Sequence, residues 1–478
     1  MWYLFSEKGI QNCFDSNKVN IVKEKFSDLK NQRSEIFGWA IYEWANHAFW
    51  TLVLGVLVGE YLTDLAQQTV GENGSVLSIA GYSLITAKSL YSYSVSFSVF
   101  LQVFILPTLG AVADYTHLKK TFLAIFCYLG AVACGLLFFI HGDLYFWGAL
   151  LFVIANLSAG ASGVFANSYL SDISTEDRRD RVSSWGFAAG YLGGFITLIV
   201  GAVLIFKAPE LGISTEYAAR ICFVFAGLWW GGFALITFCL LKVRAPIREA
   251  PPGKGYVRAS FGELRDTLRE LFKLKHTLQF LIAYLLYNDG IQTVIAMSAV
   301  FLSQELFVAR GLDPDRSVLI LAFMIAQLVG FIGALIFERV AHFTNAKTAI
   351  LISLVIWSGI VIYAYGFLQT VNEAYVMSGA IGFVLGGSQA LSRSLFSQMI
   401  PKGRESAFFG IYAISERGTS WIGPLVFGLV AQLTDSYRPA ILALIAFFIV
   451  GSLILLFTNT AQAIHEAGNI TPEEAVTE

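Results

Sequence analysis

Three polar side chains stand together in an otherwise apolar and aromatic stretch near the N-terminus, IYEWANHAFW at 41–50. Glu43 is followed by Asn46 and His47 at the third and fourth positions, so the three share one face if the stretch is helical. A carboxyl group and an imidazole can each take up and release a proton, whereas an amide donates and accepts hydrogen bonds. Two tryptophans share the face: Trp39 and Trp50. The spacing indicates either a wet cavity wall or a hydrogen-bonded cluster that joins helices.

A second polar group interrupts the apolar stretch LLYNDGIQTVI at 285–295. Asp289 lies near its middle, Gln292 follows about one helical turn later, and Asn288 points to a neighbouring face. A carboxylate at this depth can line a ligand cavity, or it can form a structural ion pair with Arg417 in a later apolar segment. The sequence leaves both interpretations open.

Three further charged residues belong to late apolar segments. Glu416 and Arg417 are adjacent and cannot share a helix face, so we expect one to pair locally and the other to face the interior. Arg393 lies near the end of its segment. Its long side chain can reach the membrane interface, or its guanidinium fork can bind the carboxylate of a substrate.

The composition indicates which elements position these residues. The chain has 478 residues, of which 56% are hydrophobic and 14% charged, whereas soluble domains average about 45–50% apolar and about 25% charged residues. A membrane-spanning helix needs about 20 predominantly apolar residues. Twelve segments meet that need: 36–62, 88–113, 120–140, 144–170, 182–206, 218–241, 276–304, 316–339, 347–368, 374–398, 406–433 and 438–458. We predict an all-α integral membrane protein with twelve transmembrane helices.

The segments form two groups of six that resemble each other. The first helix of each group places a carboxylate just after a tyrosine, in IYEWAN and in LYNDGIQ. Two related six-helix bundles put a binding site between them, near the middle of the bilayer. The predicted organisation is an N-terminal segment 1–35, a bundle 36–241, a linker 242–275, a bundle 276–458 and a tail 459–478. The end of the linker, 261–275, is either an amphipathic surface helix or a solvated one.

Lysine and arginine are concentrated on one side of the predicted membrane. The N-terminal segment, the linker and every second short loop hold most of them, which places both termini in the cytoplasm by the positive-inside rule. We expect the cytoplasmic (inner) cell membrane. The connection 64–87 is predicted to be a mobile external loop, and the run EDRRDR at 176–181 a solvated turn, with gating ion pairs as the alternative. Glycines at 186, 190 and 194 predict close helix packing.

One connection resembles a signature loop. GAVADYTHLKK at 110–120 is similar to the loop between the second and third helices of the major facilitator superfamily, where Gly110, Asp114 and Lys119 match its pattern. Tyr115 and His117 depart from it. The counterpart ERVAHFTNAK at 338–347 has His342 in place of the aspartate. The resemblance implies a conformational role for the first copy and no such role for the second. Glu416 is a further gating candidate.

Longer stretches resemble one branch of that superfamily, which contains the vacuolar amino-acid effluxers of autophagy and bacterial permeases. The resemblance covers residues 36–458 and is carried by GWAIYEWANHAF, LLYNDGIQTVI, WGFAAGYLGG and SRSLFSQMIPKGRESAFFGIYAIS. It implies the major facilitator fold and a transport function. Three positions depart from the pattern of the branch, which usually has Asp at Glu43, a small residue at His47 and Gly at Glu416.

We therefore predict a secondary active transporter of a small polar or zwitterionic metabolite, with amino acids favoured by the resemblance. A larger ligand, such as a siderophore or a lipid-derived metabolite, is the alternative. Protons are the expected coupling ion, through Glu43 and His47, because a poorly solvated carboxylate readily takes up a proton. We expect a monomer in the bilayer, without cofactor, metal or nucleic acid. A membrane enzyme is disfavoured because no HExxH, GxSxG or GxxxxGK[ST] motif occurs in an appropriate context; a receptor would be expected to carry a sizeable soluble domain.

Overall fold

Apolar segments that cross a bilayer fold as helices because lipid offers no partners to backbone N–H and C=O groups. The computed structural model describes residues 30–71, 74–79, 82–87, 90–114, 116–244, 256–307, 310–312, 316–417, 422–434 and 436–477. Within them, eleven helices are long and apolar enough to cross a membrane, and a shorter apolar helix lies at 422–431. The prediction of a helical membrane protein is confirmed, and one pair of short strands is the exception among the described residues.

The first bundle contains six helices, labelled α1 to α6. In chain order they are Arg33–Val70, Leu90–Asp114, Lys119–Leu136, Tyr145–Ile173, Arg179–Phe206 and Thr215–Leu240. Helix α1 packs against α5 and α6, and α3 packs against α4 and α6. Short 3-10 turns, Leu137–Phe139 and Glu176–Arg178, follow α3 and precede α5.

The second bundle contains α7 to α12. Their ranges are Lys275–Leu306, Arg316–Phe343, Ala346–Gly366, Val371–Gln398, Glu405–Arg417 with Ile422–Thr434, and Tyr437–Phe457. The two described parts of α11 are called α11a and α11b, and residues 418–421 between them lie outside the described part. Helix α8 packs against α10, and α7 packs against α12.

Helix α1 changes its winding in the middle of its length. Arg33–His47 is α-helical, Ala48–Leu57 is π-helical, and Val58–Val70 is α-helical again. π-helical turns are rare, and they occur frequently at functional sites. The change begins directly after Asn46 and His47, which was not predicted from the sequence.

The connection at 64–87, predicted to be an irregular loop, contains a helix and two strands in the described residues. Helix α1 continues to Val70, and two antiparallel strands follow, β1 (Ser75–Ile79) and β2 (Tyr82–Thr86). Both segments contain β-branched residues, and the second begins with a tyrosine, residue types that favour strands. This hairpin connects α1 to α2.

The helix ends at the N-terminus of α1 and at the C-terminus of α12 lie on one face of the bundle pair, which we call the terminal face. At this face the linker helix Tyr256–Lys273 packs against α2, and its Glu270 forms an ion pair with Arg404, just before α11a. On the linker helix itself, Leu271 is buried against the bundles, whereas its neighbour Phe272 is 69% exposed. The linker helix therefore contacts both bundles.

The C-terminal tail also contacts both bundles at the terminal face. Asn469 is buried and donates hydrogen bonds through Nδ2 to the carbonyl oxygens of Gln398 and Ile400, 2.8 Å from each. The last described helix, Pro472–Thr477, packs against the turn Glu176–Arg178 of the first bundle. The tail thus extends from the end of α10 to the start of α5.

Direct contacts close the bundles against each other at the same face. Helix α2 packs against α11a, and α5 packs against α8 and α10. Arg179 is buried at the start of α5, donates to the carbonyl oxygen of Ser397 at 3.1 Å and pairs with Glu176 at 3.0 Å. The run 176–181 is therefore not simply a solvated turn, because one of its arginines bridges the bundles.

Candidate functional site

Arg393 of α10 belongs to the second bundle, yet its guanidinium group is surrounded by the first. It forms an ion pair with the carboxylate of Glu43 on α1. The same nitrogen donates to Oδ1 of Asn167 on α4 at 3.1 Å. The other two nitrogens donate to Ser183 on α5, one to its hydroxyl at 3.0 Å and one to its carbonyl oxygen at 2.9 Å. One cation thus joins α10 to three helices of the opposite bundle.

Two aromatic rings lie next to this cation. The guanidinium carbon lies 4.8 Å from the ring centre of Trp39 and 4.2 Å from that of Phe187, distances at which ring faces attract cations. The Arg393 side chain is only 3% exposed. The alternative in which Arg393 reaches the membrane interface is therefore wrong. Its charge is instead neutralised at the bundle interface.

The ion pair is enclosed, and that determines its energetic weight. Glu43 is 8% exposed and Arg393 is 3% exposed. Removing one partner of a buried ion pair typically costs about 3–5 kcal/mol, because the other charge is left without compensation. The pair favours contact between the bundles only while both groups are charged.

A row of glycines on α5 makes room for the polar face of α1. A Cβ atom on Gly186 would lie 2.5 Å from the ring of Trp39, and one on Gly190 would lie 2.3 Å from the imidazole of His47. A Cβ atom on Gly194 would lie 2.6 Å from the hydroxyl of Thr51. The predicted close packing is present, and the side chains of Trp39, His47 and Thr51 occupy the positions that Cβ atoms on these glycines would take.

His47 lies one turn beyond Glu43. Its Nδ1 is 2.9 Å from the carbonyl oxygen of Glu43. A carbonyl oxygen can only accept, so Nδ1 carries the hydrogen and Nε2 is left to accept a hydrogen bond or a proton. The ring contacts Tyr191 edge to face, with ring centres 5.7 Å apart. His47 is half-buried, beside the ion pair and within the bundle interface.

Polar contacts between the bundles continue from His47 along α1 and α5. The hydroxyl of Tyr191 donates to Oε1 of Gln389 on α10 at 2.8 Å, and Nε2 of Gln327 on α8 lies 3.4 Å from the hydroxyl of Thr51. Asn46 is buried, and its Oδ1 has no hydrogen-bond partner among the described residues. This layer combines side chains that can donate and accept.

Asp289 on α7 contacts the backbone of α11b. Its Oδ2 accepts a hydrogen bond from the backbone N–H of Gly423 at 2.9 Å, in the first turn of α11b as described. The residue is 1% exposed, and its Oδ1 has no hydrogen-bond partner within the described ranges. Asp289 therefore keeps one acceptor atom available inside the second bundle.

The remaining predicted residues take different places. Gln292 lies 3.5 Å from Asn288, a long contact between neighbouring turns of α7. Trp50 is half-buried at the start of the π-helical stretch and contacts Phe49 edge to face. The side chains of Glu416 and Arg417 lie outside the described part of the structure, and so does the predicted pairing of Arg417 with Asp289. No contact between described residues joins Asp289 to Glu43 or Arg393.

Asp114 makes the contact between α2 and α11a. Its two carboxylate oxygens accept hydrogen bonds from the backbone N–H groups of Ser406 at 3.0 Å and Ala407 at 2.8 Å, in the first turn of α11a. A Cβ atom on Gly110 would lie 2.3 Å from the carbonyl oxygen of Ser406, so only glycine permits this approach. Lys119 pairs with Asp172 at 2.8 Å within the first bundle.

Asp114 lies at the end of α2, beyond the residues Tyr93–Gly110 that are apolar enough to cross a membrane. Burial raises the pKa of Asp114 to about 7. Lys119 and the amide of Ala407 act in the opposite direction, and the nearby Glu405 acts in the same direction as burial. The carboxyl group therefore changes charge near neutral pH while the terminal face is closed.

The second copy of the signature loop makes no comparable contact among the described residues. His342 contacts its neighbour Phe343. Asn345 caps the start of α9 by accepting from the N–H of Thr348 at 2.8 Å, and Lys347 donates to the carbonyl oxygens of Leu456 and Thr458. The residues at 338–347 hold the second bundle together instead.

Seven side chains at the site were missed in the sequence: Thr51, Asn167, Ser183, Phe187, Tyr191, Gln327 and Gln389. Asn167 and Gln389 interrupt the apolar stretches VFANSYL and GGSQALS, and that interruption was a usable signal. Ser183 and Phe187 carry none, because serine and phenylalanine are common in membrane helices. Within the described residues, no group of three or more His, Cys, Asp or Glu side chains is arranged to hold a metal ion.

Comparisons with known proteins are consistent with this architecture. Residues 31–468 match the family model described as vacuole effluxer Atg22 like. The chain is 28% identical over 438 residues to the MFS-type transporter YxiO of Bacillus subtilis, covering 91% of this chain and 97% of that one. It is 26% identical to autophagy-related protein 22 of Coccidioides immitis, covering 85% and 83% of the two chains.

Solved structures show the same fold at low sequence identity. The fucose transporter FucP in its outward conformation superposes with a TM-score of 0.64 at 13% identity, covering 89% of this chain and all of that one. A bacterial homologue of the iron transporter ferroportin, in its outward-facing state, gives 0.59 at 16% identity, covering 88% and 98%.

Proposed function

The chain belongs to the Atg22-like vacuole effluxer family of the major facilitator superfamily, and from this premise we propose that it is a proton-coupled secondary transporter of small zwitterionic metabolites, amino acids above all. That it is a membrane transporter rather than an enzyme follows from the family and its relatives. The coupling ion, the substrate and the transport cycle are the proposal. The observation that supports it most is the placement of Arg393 among Glu43, Asn167 and Ser183.

In the proposed cycle, the Glu43–Arg393 pair holds the terminal face closed. A proton that reaches Glu43 neutralises the carboxylate and leaves Arg393 as a buried charge without its counter-charge. Such a state is unfavourable by several kcal/mol, so the bundles separate and Arg393 regains water. His47 Nε2, one turn away, is placed to pass protons to this region. Proton binding at Glu43 is thereby coupled to the loss of the contact between the bundles.

The substrate assignment follows from the charges available. Arg393 can exchange the carboxylate of Glu43 for the carboxylate of a substrate, because its planar fork binds either one in the same way. Asp289, with one unpartnered oxygen, suits an ammonium group. An α-amino acid carries both groups, and Asn46, Gln327 and Gln389 add neutral donors and acceptors. The family description, vacuole effluxer, supports movement of the substrate out of a compartment.

We further propose that the terminal face is cytoplasmic. The positively charged residues of the N-terminal segment, the linker and the loops on this face greatly outnumber those of the opposite loops, as the positive-inside rule requires. The described state is then closed to the cytoplasm. In a bacterial cell this orientation corresponds to the inner membrane.

Ligand-induced thermal stabilisation tests the substrate class. Purified protein screened against amino acids is expected to melt at a higher temperature with its substrate, since a ligand at a hundredfold excess over Kd stabilises by about 2.7 kcal/mol. Asp289→Asn is expected to abolish the shift. Asp143→Asn, an exposed carboxylate beyond α3, is the matched control and is expected to keep it. A library in which bulky amphiphiles shift the melting temperature and amino acids do not would show that the larger-ligand alternative is right.

Asp114 predicts a pH dependence of closure. When the bundles separate, its carboxyl group regains water and its usual pKa of about 3.8, against about 7 when closed. Closure therefore takes up a proton between these values, and the closed state is favoured below about pH 4 and loses that advantage as the pH rises through 7. Distances between spin labels on α2 and α11a, measured in a Glu43→Gln background to remove the opposing effect of Glu43, are expected to lengthen over this range. Asp114→Asn in the same Glu43→Gln background is expected to remove the dependence; a distance that stays constant from pH 4 to 8 in the Glu43→Gln protein with Asp114 intact would contradict it.

A further inference from the structure

A groove between α5 and α8 opens towards the membrane near the terminal face. Its volume is about 400 Å³, and it is lined by Arg181, Trp185, Leu335, Ile336, Glu338 and Arg339. Arg181 and Trp185 belong to the first bundle, whereas the other four belong to the second. The groove is thus a junction between the bundles, on their lipid-facing side and outside the candidate substrate site.

The charged groups of the groove suit a phosphate. The guanidinium of Arg181 lies 5.0 Å from the ring centre of Trp185 and has no ion-pair partner in the described part of the chain. Arg339 is exposed, and its Nε lies 3.4 Å from the carboxylate of its neighbour Glu338. Two guanidinium groups thus face one carboxylate, which leaves a net positive charge. Guanidinium groups present planar donors that match phosphate oxygens.

The apolar groups beside the groove suit acyl chains. Ile336, Ile332 and Leu328 follow one another at intervals of four along α8 and are 43%, 44% and 40% exposed. They form a stripe that leads from the groove towards the middle of the membrane. Trp185 is 44% exposed beside the arginines, and tryptophan side chains are enriched at the level of lipid headgroups. The arginines lie where the phosphate of a phospholipid would be, Trp185 lies at the level of the headgroup, and the aliphatic stripe lies where the acyl chains would be.

We propose that this groove binds the phosphate of an anionic phospholipid between Arg181 and Arg339, and that the bound lipid stabilises the closed terminal face. The two arginines belong to different bundles, so one headgroup can contact both only while the ends of α5 and α8 are close. Separation of the bundles breaks one of the two contacts. A ligand that binds one state better shifts the population towards it, which makes membrane composition a regulator of the closed state.

Native mass spectrometry of the full chain tests the binding. Protein released from bilayers of phosphatidylcholine with phosphatidylglycerol is expected to retain phosphatidylglycerol, and Arg181→Gln with Arg339→Gln is expected to weaken that retention about thirtyfold, from about a fivefold factor for each arginine. The matched control is Arg178→Gln with Arg269→Gln, two exposed arginines of the terminal face outside the groove, each beside a carboxylate. Equal retention by the groove variant and the wild type would overturn the proposal.

Two further experiments complete the test. The first distinguishes a lipid from other sources of phosphate, and the second distinguishes lipid binding from stabilisation of the closed terminal face. Phosphatidylglycerol is expected to raise the melting temperature of the wild type and of the control, but not of the groove variant. Inorganic phosphate or glycerol 3-phosphate at millimolar concentration is expected to have no such effect; an equal effect would overturn the assignment to a lipid. Spin labels at the terminal ends of α5 and α8 are expected to show more of the short distance in phosphatidylglycerol. Retention without that change would overturn the stabilisation of the closed face.

Discussion

Glu43→Gln is expected to abolish accumulation driven by a proton gradient while leaving exchange of substrate across the membrane intact. Glutamine keeps the shape of the side chain and can accept a hydrogen bond from Arg393, but it has no charge and takes up no proton at physiological pH. Arg393 then lacks its counter-charge in the closed state, and a loss of about 3–5 kcal/mol is typical for a broken buried pair. Uptake or efflux by reconstituted vesicles, with and without an imposed pH difference, measures both activities.

The control for this variant lies on the same helix. Glu60 is exposed near the opposite end of α1, so Glu60→Gln removes the same charge without changing the ion pair and is expected to retain gradient-driven transport. Loss of exchange together with accumulation would indicate damage to binding and not to coupling. A Glu43→Gln protein that responds to the pH difference as the wild type does would refute the role of Glu43.

Gly110→Leu is expected to prevent closure of the terminal face. The added Cβ atom would lie 2.3 Å from the carbonyl oxygen and 2.7 Å from the carbonyl carbon of Ser406, backbone atoms of the opposite bundle that cannot rotate away. Overpacking typically costs about 1–3 kcal/mol, which corresponds to about a 5-fold to 150-fold shift in population. Because the clash lies between the bundles, each bundle is expected to fold normally. Distances between labels on α2 and α11a are expected to move to the longer population.

Gly163→Leu provides the comparison, since a Cβ atom on this α4 glycine meets nothing within 4 Å. It is expected to leave the distance distribution and the transport rate unchanged. A Gly110→Leu protein with the wild-type distribution would show that the described contact does not limit closure. A single separation of the bundles in the wild type, under every substrate and pH condition, would refute alternating access itself.

The fold could be predicted from the sequence because the bilayer leaves few choices. Twelve apolar stretches of sufficient length, joined by short loops, specify helices and their order. The paired motifs IYEWAN and LYNDGIQ specified the division into two bundles. The two strands Ser75–Ile79 and Tyr82–Thr86 were missed because their ten residues of mixed polarity resemble a loop as much as short strands.

The pairing within the site could not be predicted in the same way. Glu43 and Arg393 are 350 positions apart, and their contact depends on how two bundles are rotated against each other. Helical periodicity fixes which residues share a face of α1, but not which helix that face meets. The π-helical stretch Ala48–Leu57 further changes the direction in which the side chains of α1 after His47 point. No residue in AFWTLVLGVL predicts this change of winding.

The position of Asn469 has a practical consequence for anyone who expresses this protein. Its side-chain amide is anchored to the end of α10 at Gln398 and Ile400, and the short helix after it rests on the turn before α5. A fluorescent reporter or affinity tag is customarily joined to the C-terminus of a membrane protein. In this protein such a tag would lie next to the terminal face, where the two bundles are proposed to separate. A long flexible spacer after the tail, or removal of the tag by a protease before transport is measured, prevents the tag from interfering sterically with closure of the terminal face.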